Sequence, residues 1–302
     1  YNVICVDNYS GGSESEIDHL LSHDHFEFVR HDITEKLDFK AIKGAERFRV
    51  SFVGVKYVIF CASLSSPDVA LAHPIEYLML NAGGLRNALE TALASRARFL
   101  YLSDPSVNGQ MDVSAKTGWS LIAEGKRFGE RLVMEYHTLY SLDVSVVRVY
   151  PTYGVNAHPH DMHLVPWVIR TAFTSDEVVL PPILLSKKTS LLYIRDAVDA
   201  IEKLMTAETS GTFDVGSPTE HTVREVVQHF LNGMGKKVSL REGVPADVPS
   251  QILEMWEYAC AVPTIKHIRD ATGWFPVVLL DAGAAKTIDY YKALRGMRRV
   301  GA

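Results

Sequence analysis

The chain has 302 residues, 47% hydrophobic and 22% charged, with a net charge of -5 and a pI near 6.2. That balance belongs to a folded chain with a sizeable core and offers no basic field to nucleic acid or an acidic membrane. No apolar run approaches the roughly 20 residues of a membrane span, and Cys5, Cys61 and Cys260 are too scattered for a disulfide framework or a zinc cluster. Buried, reduced thiols fit a reducing compartment, cytoplasm or an organelle matrix.

Strand-like apolar runs alternate with helix-length segments through the first half, the mark of a parallel sheet with crossover helices. Residues 2–6 (NVICV) read as a strand ending at Asp7, and 26–30 as a second, followed by His31, Asp32 and Ile33. Residues 53–62, 98–103 and 144–149 read as the third, fourth and fifth. Between them, 76–95 and 121–141 carry apolar residues at helical spacing. Beyond Tyr150 the elements shorten among prolines, with helices expected over 165–174, 194–207, 222–233 and 281–295. Thr222 and Glu225 stand at the capping-box spacing. The reading is a domain over 1–150 and a smaller lobe over 151–302, interleaved with it.

The segments VICVDNYSGG, FCASLSSPDVA, LNAGGLRNALETA, EGKRFGERLVMEYH, VRVYPTYGVNAHPHD, SLLYIRDAVDAI and FDVGSPTEHTVREVV resemble, in order, those of extended short-chain dehydrogenases. Within these NAD-dependent epimerases and dehydratases, the resemblance is nearest to UDP-glucuronate decarboxylases. It implies an α/β, Rossmann-like doubly wound parallel sheet with a C-terminal substrate lobe, NAD as cofactor, and hydride abstraction from a nucleotide sugar. It further implies a central first strand and a glycine-rich turn on the cofactor pyrophosphate; neither occurs in residues 1–302. NAD is therefore expected only if such a turn exists elsewhere in the polypeptide.

The same resemblance implies a Tyr-x-x-x-Lys pair that takes up the sugar hydroxyl proton. Here the family's YDEGK-type segment reads Ile122-Ala123-Glu124-Gly125-Lys126, so the lysine remains and the tyrosine position is Ile122. The family's threonine position is Asp104, followed by Pro105. Pro151 and Thr189 stand where an asparagine and a phosphate-binding arginine are implied, and Ile183, Leu184 and Leu185 replace a glycine-containing run. Asp7, Asp32, Ile33, Ala62, Ser63 and Lys126 match cofactor-contacting positions, although each also reads as a turn, cap or surface residue. The AHPHDMH run holds His158, His160, Asp161 and His163 but reads as a substituted family loop, so no metal is expected.

The reading is a pseudoenzyme: a decarboxylase-like protein with a structural or scaffolding role in a larger assembly. Protein partners are expected through helices 76–95 and 121–141, where Leu85, Leu89, Leu132 and Tyr136 are candidate contacts, or through a filled cleft. The alternatives are an active sugar-nucleotide decarboxylase or dehydratase with relocated catalytic groups, and an NAD-sensing regulator.

Overall fold

The computed structural model describes residues 1–12, 14–38, 42–64, 66–109, 118–158 and 160–300. Five parallel strands follow the apolar runs: β1 (Val3–Asp7), β2 (Phe26–Arg30), β3 (Tyr57–Phe60), β4 (Arg98–Ser103) and β5 (Val144–Val149). The third is shorter than its apolar run. Val50–Val53 closes a helical turn instead, and Gly54, at φ 70°, ends it where a side chain would press on Ser95. The later strands are β6 (Glu177–Leu180), β7 (Gly211–Val215) and β8 (Ser239–Glu242).

Pro74–Met79, Leu80–Gly84 and Leu85–Ser95 run on as one helix, α1, whose middle segment is a π-turn. Then come α2 (Gly118–Tyr140), α3 (Leu164–Thr174), α4 (Ile194–Thr206) and α5 (Val223–Gly233). Ser250–Tyr258, Lys266–Thr272 and Leu280–Val300 form α6, α7 and α8. Thr222 and Glu225 make the reciprocal capping box at the start of α5. Among the described residues no helix is long and apolar enough to cross a membrane.

The main sheet has the order β7-β5-β4-β3, all parallel. Residues 211–215 thus return from the second half of the chain to complete it. Phe99, Leu100 and Tyr101 on β4 are fully buried, as β4 is covered on both faces. Leu85, Leu89 and Tyr136 pack on one face with Phe60 and Phe99, while Phe213, Leu204 and Trp274 cover the other. Three of the expected partner contacts, Leu85, Leu89 and Tyr136, therefore belong to this chain's own core, because the sheet claims that stripe of each helix. The outward large apolar residues of the two helices are Ile75, Leu78, Met79, Phe128, Met134, Leu139 and Tyr140.

Arg98 ties the layers together from a buried position. Its guanidinium donates to Asp143, to the Ser145 hydroxyl and to the carbonyls of Leu204 and Thr209. A buried charge so fully bonded repays much of its desolvation. The second large core gathers Trp167, Ile169, Leu180, Phe230 and Trp256 between α3, α5, α6 and the β6–β8 pair.

Among the described residues β1 and β2 pair only with each other and form a separate two-stranded sheet. The segment after β2 lies over α1, where Asn87 donates to the carbonyls of Ile33 and Thr34 at 2.9 Å.

Candidate active-site region

Open parallel sheets place their chemistry beyond the carboxyl ends of the strands. At the end of β4, Asp104 accepts from the Ser106 amide at 2.7 Å and caps a single turn, Pro105–Asn108, with Pro105 at its first position. Aspartate followed by proline is a helix-start pairing, so the residue at the implied threonine position has a local structural role. Just before it, the Ser103 hydroxyl donates to Glu130 at 2.6 Å, and Arg148 grips both oxygens of Glu130 at 2.9 and 2.7 Å. Asp214 lies opposite Arg148 in the β7–β5 register, and burial raises its pKa against the pull of that arginine.

Lys126, 7% exposed, turns inward. Its amine donates to the Leu102 carbonyl at 3.0 Å and lies 5.3 Å from the Tyr101 ring centre. Burial holds its pKa below the ordinary value, while Asp104, Cys61 and Glu130 pull the other way. The nearby Cys61 is exposed after β3 and not the buried thiol its apolar run suggested, yet desolvation by surrounding atoms pushes its pKa up to about 11.

Two tyrosines that the sequence reading passed over fill the space beside this lysine. The Tyr77 ring, from α1, packs where a side chain at Gly125 would stand 2.7 Å from it. Its hydroxyl donates to the carbonyl of Ile122 at 3.4 Å, and Ser63 bonds to it as well. Tyr101, from β4, reaches under α2 at Gly129, whose missing Cβ would fall 2.1 Å from the phenol oxygen. That phenol donates to Asn81, a buried residue of the π-turn, and Asn81 donates to the Tyr77 carbonyl. Gly125 and Gly129, four residues apart on one helix face, were the available sign of such close approach. Burial and the charge of Asp104 push both phenols far up, so both stay protonated. Ile122 packs into the apolar cluster of Leu64, Ala70 and Tyr77.

The cofactor-type residues are spread over two places. Asp7 is exposed at the end of β1 and accepts from the Tyr9 amide at 2.6 Å. Asp32 accepts from the Thr34 amide and hydroxyl and from Asn8, and the Thr34 bonds lower its pKa. Ile33 and Ala62 pack against the core beneath α1, and Ser63 meets Tyr77. Asp7 thus keeps an exposed carboxylate at the end of β1, whereas the Lys126 amine faces the Leu102 carbonyl.

On the substrate side, Leu184 and Leu185 enter the lobe core while Ile183 faces outward. Only the first two are fillers. Thr189 is buried in a short pairing with His221, and the Pro151 carbonyl accepts from the Leu192 amide. Tyr153 is directed away, its hydroxyl donating to the Leu280 carbonyl at 3.4 Å. In the histidine-rich loop, His163 pairs with Asp161 at 2.6 Å, and Asp161 also accepts from the Ser66 hydroxyl at 3.5 Å. Among the described residues no group of three or more His, Cys, Asp or Glu is arranged to hold a metal.

The NAD dependent epimerase/dehydratase family profile matches residues 1–216, more than two thirds of the chain. UDP-glucuronic acid decarboxylase 1 of Danio rerio is 26% identical over 302 residues, covering 96% of this chain and 67% of the relative. UDP-glucuronic acid decarboxylase 6 of Arabidopsis thaliana is 27% identical over 296 residues, covering 93% and 78%. The chain spans about two thirds of the length of several of these relatives. A UDP-glucose 4-epimerase from Thermotoga maritima, solved with UDP-glucose, superposes with a TM-score of 0.77 at 19% identity over 98% of this chain and 92% of that chain. A Streptomyces venezuelae dTDP-glucose 4,6-dehydratase, solved with NAD, gives 0.77 at 20% identity over 98% and 89%. At such identities the structural likeness establishes the fold, an α/β Rossmann-like one. With the profile match, the chain belongs to the NAD-dependent epimerase/dehydratase family.

Proposed function

We propose that this chain is a UDP-glucuronate decarboxylase-like member that has given up catalysis and acts as a structural or scaffolding subunit of a larger assembly. One observation carries the proposal: the Tyr77 phenol sits against the Ile122 carbonyl and Ser63, near Asp104, where the family's proton-transferring groups would act. Hydride leaves a sugar carbon only as its hydroxyl proton is taken up. Ile122 has no group to take it, and Tyr77, with its pKa pushed far up, keeps its own proton. Positioned acid–base groups contribute ~10²–10⁴-fold, and a substrate out of alignment loses more. The outward apolar residues of α1 and α2 supply a surface for a protein partner.

Purified protein incubated with UDP-glucuronate or dTDP-glucose and excess NAD is expected to form no product above a no-protein control. Product proportional to protein added refutes the loss of catalysis. Ile122→Tyr alone is expected to restore nothing, because Tyr77 occupies the space beside it and Thr189 and Pro151 remain. Native mass measurement from the source cells is expected to find the chain in a complex; a free monomer refutes the scaffolding role. A second reading, an NAD-sensing regulator, rests on the exposed Asp7 and predicts saturable NAD binding without turnover.

A further inference from the structure

α2 follows β4 and precedes β5, so it runs back along the main sheet. Its level is set by Tyr101 beneath Gly129 and by the Lys126 amine at the Leu102 carbonyl. Gly118, three turns before Gly129, lies about 16 Å further along the helix axis. β4 advances only about 7 Å beyond Tyr101 before it ends at Ser103. The first turns of α2 therefore overhang the carboxyl end of the sheet. The short helix Pro67–Ala72, which follows β3, packs beside them. Ligands of open parallel sheets enter there.

In this chain that ground is taken by α6, which arrives from the lobe and packs on both α2 and Pro67–Ala72. Ile252, Leu253, Met255 and Trp256 are buried while Gln251 and Glu254 are exposed, one apolar face at helical spacing. Gly118 is what lets α6 come in: a Cβ there would fall 2.7 Å from the Met255 sulfur and 2.6 Å from Leu71. Leu71 itself packs with the lobe core. At the rim, Trp119 of α2 stacks on Tyr258 of α6, with ring centres 5.8 Å apart and planes inclined by 19°. From behind, the Trp256 indole donates to the Met162 carbonyl at 2.8 Å, and the Met162 amide donates to the Ser66 hydroxyl at 3.1 Å. Ala70, Leu121 and Ile122 give the same two helices an apolar lining shared with Tyr77. A helix of nine residues does not hold itself in water, so the order of α6 comes from this packing.

We infer that α6 is an intramolecular plug: it closes the crevice over the carboxyl ends of β3 and β4 and clasps the lobe to the main sheet, so that a ligand enters only when α6 lets go. Gly118, Leu71 and Met255 form its seat, and the Trp119–Tyr258 stack is its outer latch. The inference does not depend on whether the protein is catalytic.

Residue-resolved hydrogen exchange and the apolar dye ANS, read on Gly118→Glu beside wild type, test it. An acid in the first turn favours α2 itself but sets a charge against Met255 and Leu71, where burial is costly. The amides of α6 are expected to exchange on the order of 100-fold faster in the variant, and ANS fluorescence to rise with them as the lining opens. The amides of Leu100 and Val146 keep their wild-type rates. Unchanged exchange in α6 overturns the seat at Gly118, and a freed α6 with no rise in ANS fluorescence overturns the crevice. If Gly118→Glu does not fold, wild type in rising urea decides. Loss of α6 protection, with ANS binding, at lower urea than the opening of Leu100 and Val146 supports the plug; α6 opening only together with them overturns it.

Discussion

Two sheets of this molecule, the β1–β2 pair and the four-stranded main sheet, are built from similar strands yet differ in everything that fixes a strand in place. β4 and β5 have neighbours on both edges and helices on both faces, and Phe99, Leu100, Val146 and Val147 are sealed. β1 and β2 have one neighbour each, and apart from Phe26 none of their residues is fully buried. The apolar content of VICVD and VSVVRV is similar; the difference lies in what surrounds them. A strand's stability is set by the layers on either side of it, so the same kind of sequence gives a core in one place and a loosely held flank in the other.

The widest test sets one phenylalanine of each sheet against the other. Phe99→Ala is expected to cost about 3–5 kcal/mol in denaturant unfolding, the range for an aromatic lost from a sealed core. Phe28→Ala, where the ring stacks on Tyr9 at 4.8 Å in a half-open site, is expected to cost less than about 2 kcal/mol. Equal losses would erase the distinction between the sheets.

A tighter probe asks how closely the main body is packed at its site. Gly129→Ala puts a methyl group onto the Tyr101 phenol and is expected to destabilise by about 1–3 kcal/mol. A Gly129→Ala/Tyr101→Phe pair is expected to recover part of that. No recovery would mean that the clash lies elsewhere.

Lys126 gives a smaller effect with a definite sign. Burial lowers its folded-state pKa, so the unfolded chain binds that proton more tightly. Wild-type stability therefore rises as pH climbs through the depressed value toward the ordinary 10.5. Lys126→Met is expected to lie within about 1 kcal/mol of wild type near neutral pH and to fall behind as pH approaches about 10. Parallel pH profiles would place the charge in water.

The smallest expected effect is at the rim. Burial opposes charging of His163, but the Asp161 hydrogen bond and charge outweigh it and raise its pKa, while Asp161 is lowered in turn. The contribution of a raised histidine is fully present below its unfolded value, near 6.5, and is lost as pH rises through the folded one. His163→Gln is thus expected to lower Tm more at about pH 5.5 than at about pH 8.5. The difference stays under about 1 kcal/mol, since the ring is half exposed. A larger deficit at the alkaline end would reverse the sign of the pairing.

The elements legible in the sequence were those with a local cause. Alternating apolar runs gave the five strands of the first half, helical spacing gave α1 and α2, and the Thr222–Glu225 spacing gave the start of α5. The strands β6, β7 and β8 escaped notice, being four or five residues long and held by partners 62 or 66 residues away in sequence. The 53–62 run was half misread, because its apolar start serves a helical turn that Gly54 closes.

The site divides along the same line. Ile122, Asp104, Pro151 and Thr189 are substitutions that any reading of the chain meets, and Asp104-Pro105 is legible as a cap from its residue types alone. That Lys126 points inward, and that Tyr77 and Tyr101 occupy the ground beside it, was decided by packing. Tyr77 and Ile122 are 45 positions apart and meet only because α1 and α2 lie against each other across Gly125. Sequence by itself determined which functional groups are present, since chemistry belongs to side chains. The tertiary structure decided which of those groups face water, which face each other and which strand edges stay free, because burial and proximity come from the layers around a residue and not from its neighbours along the chain.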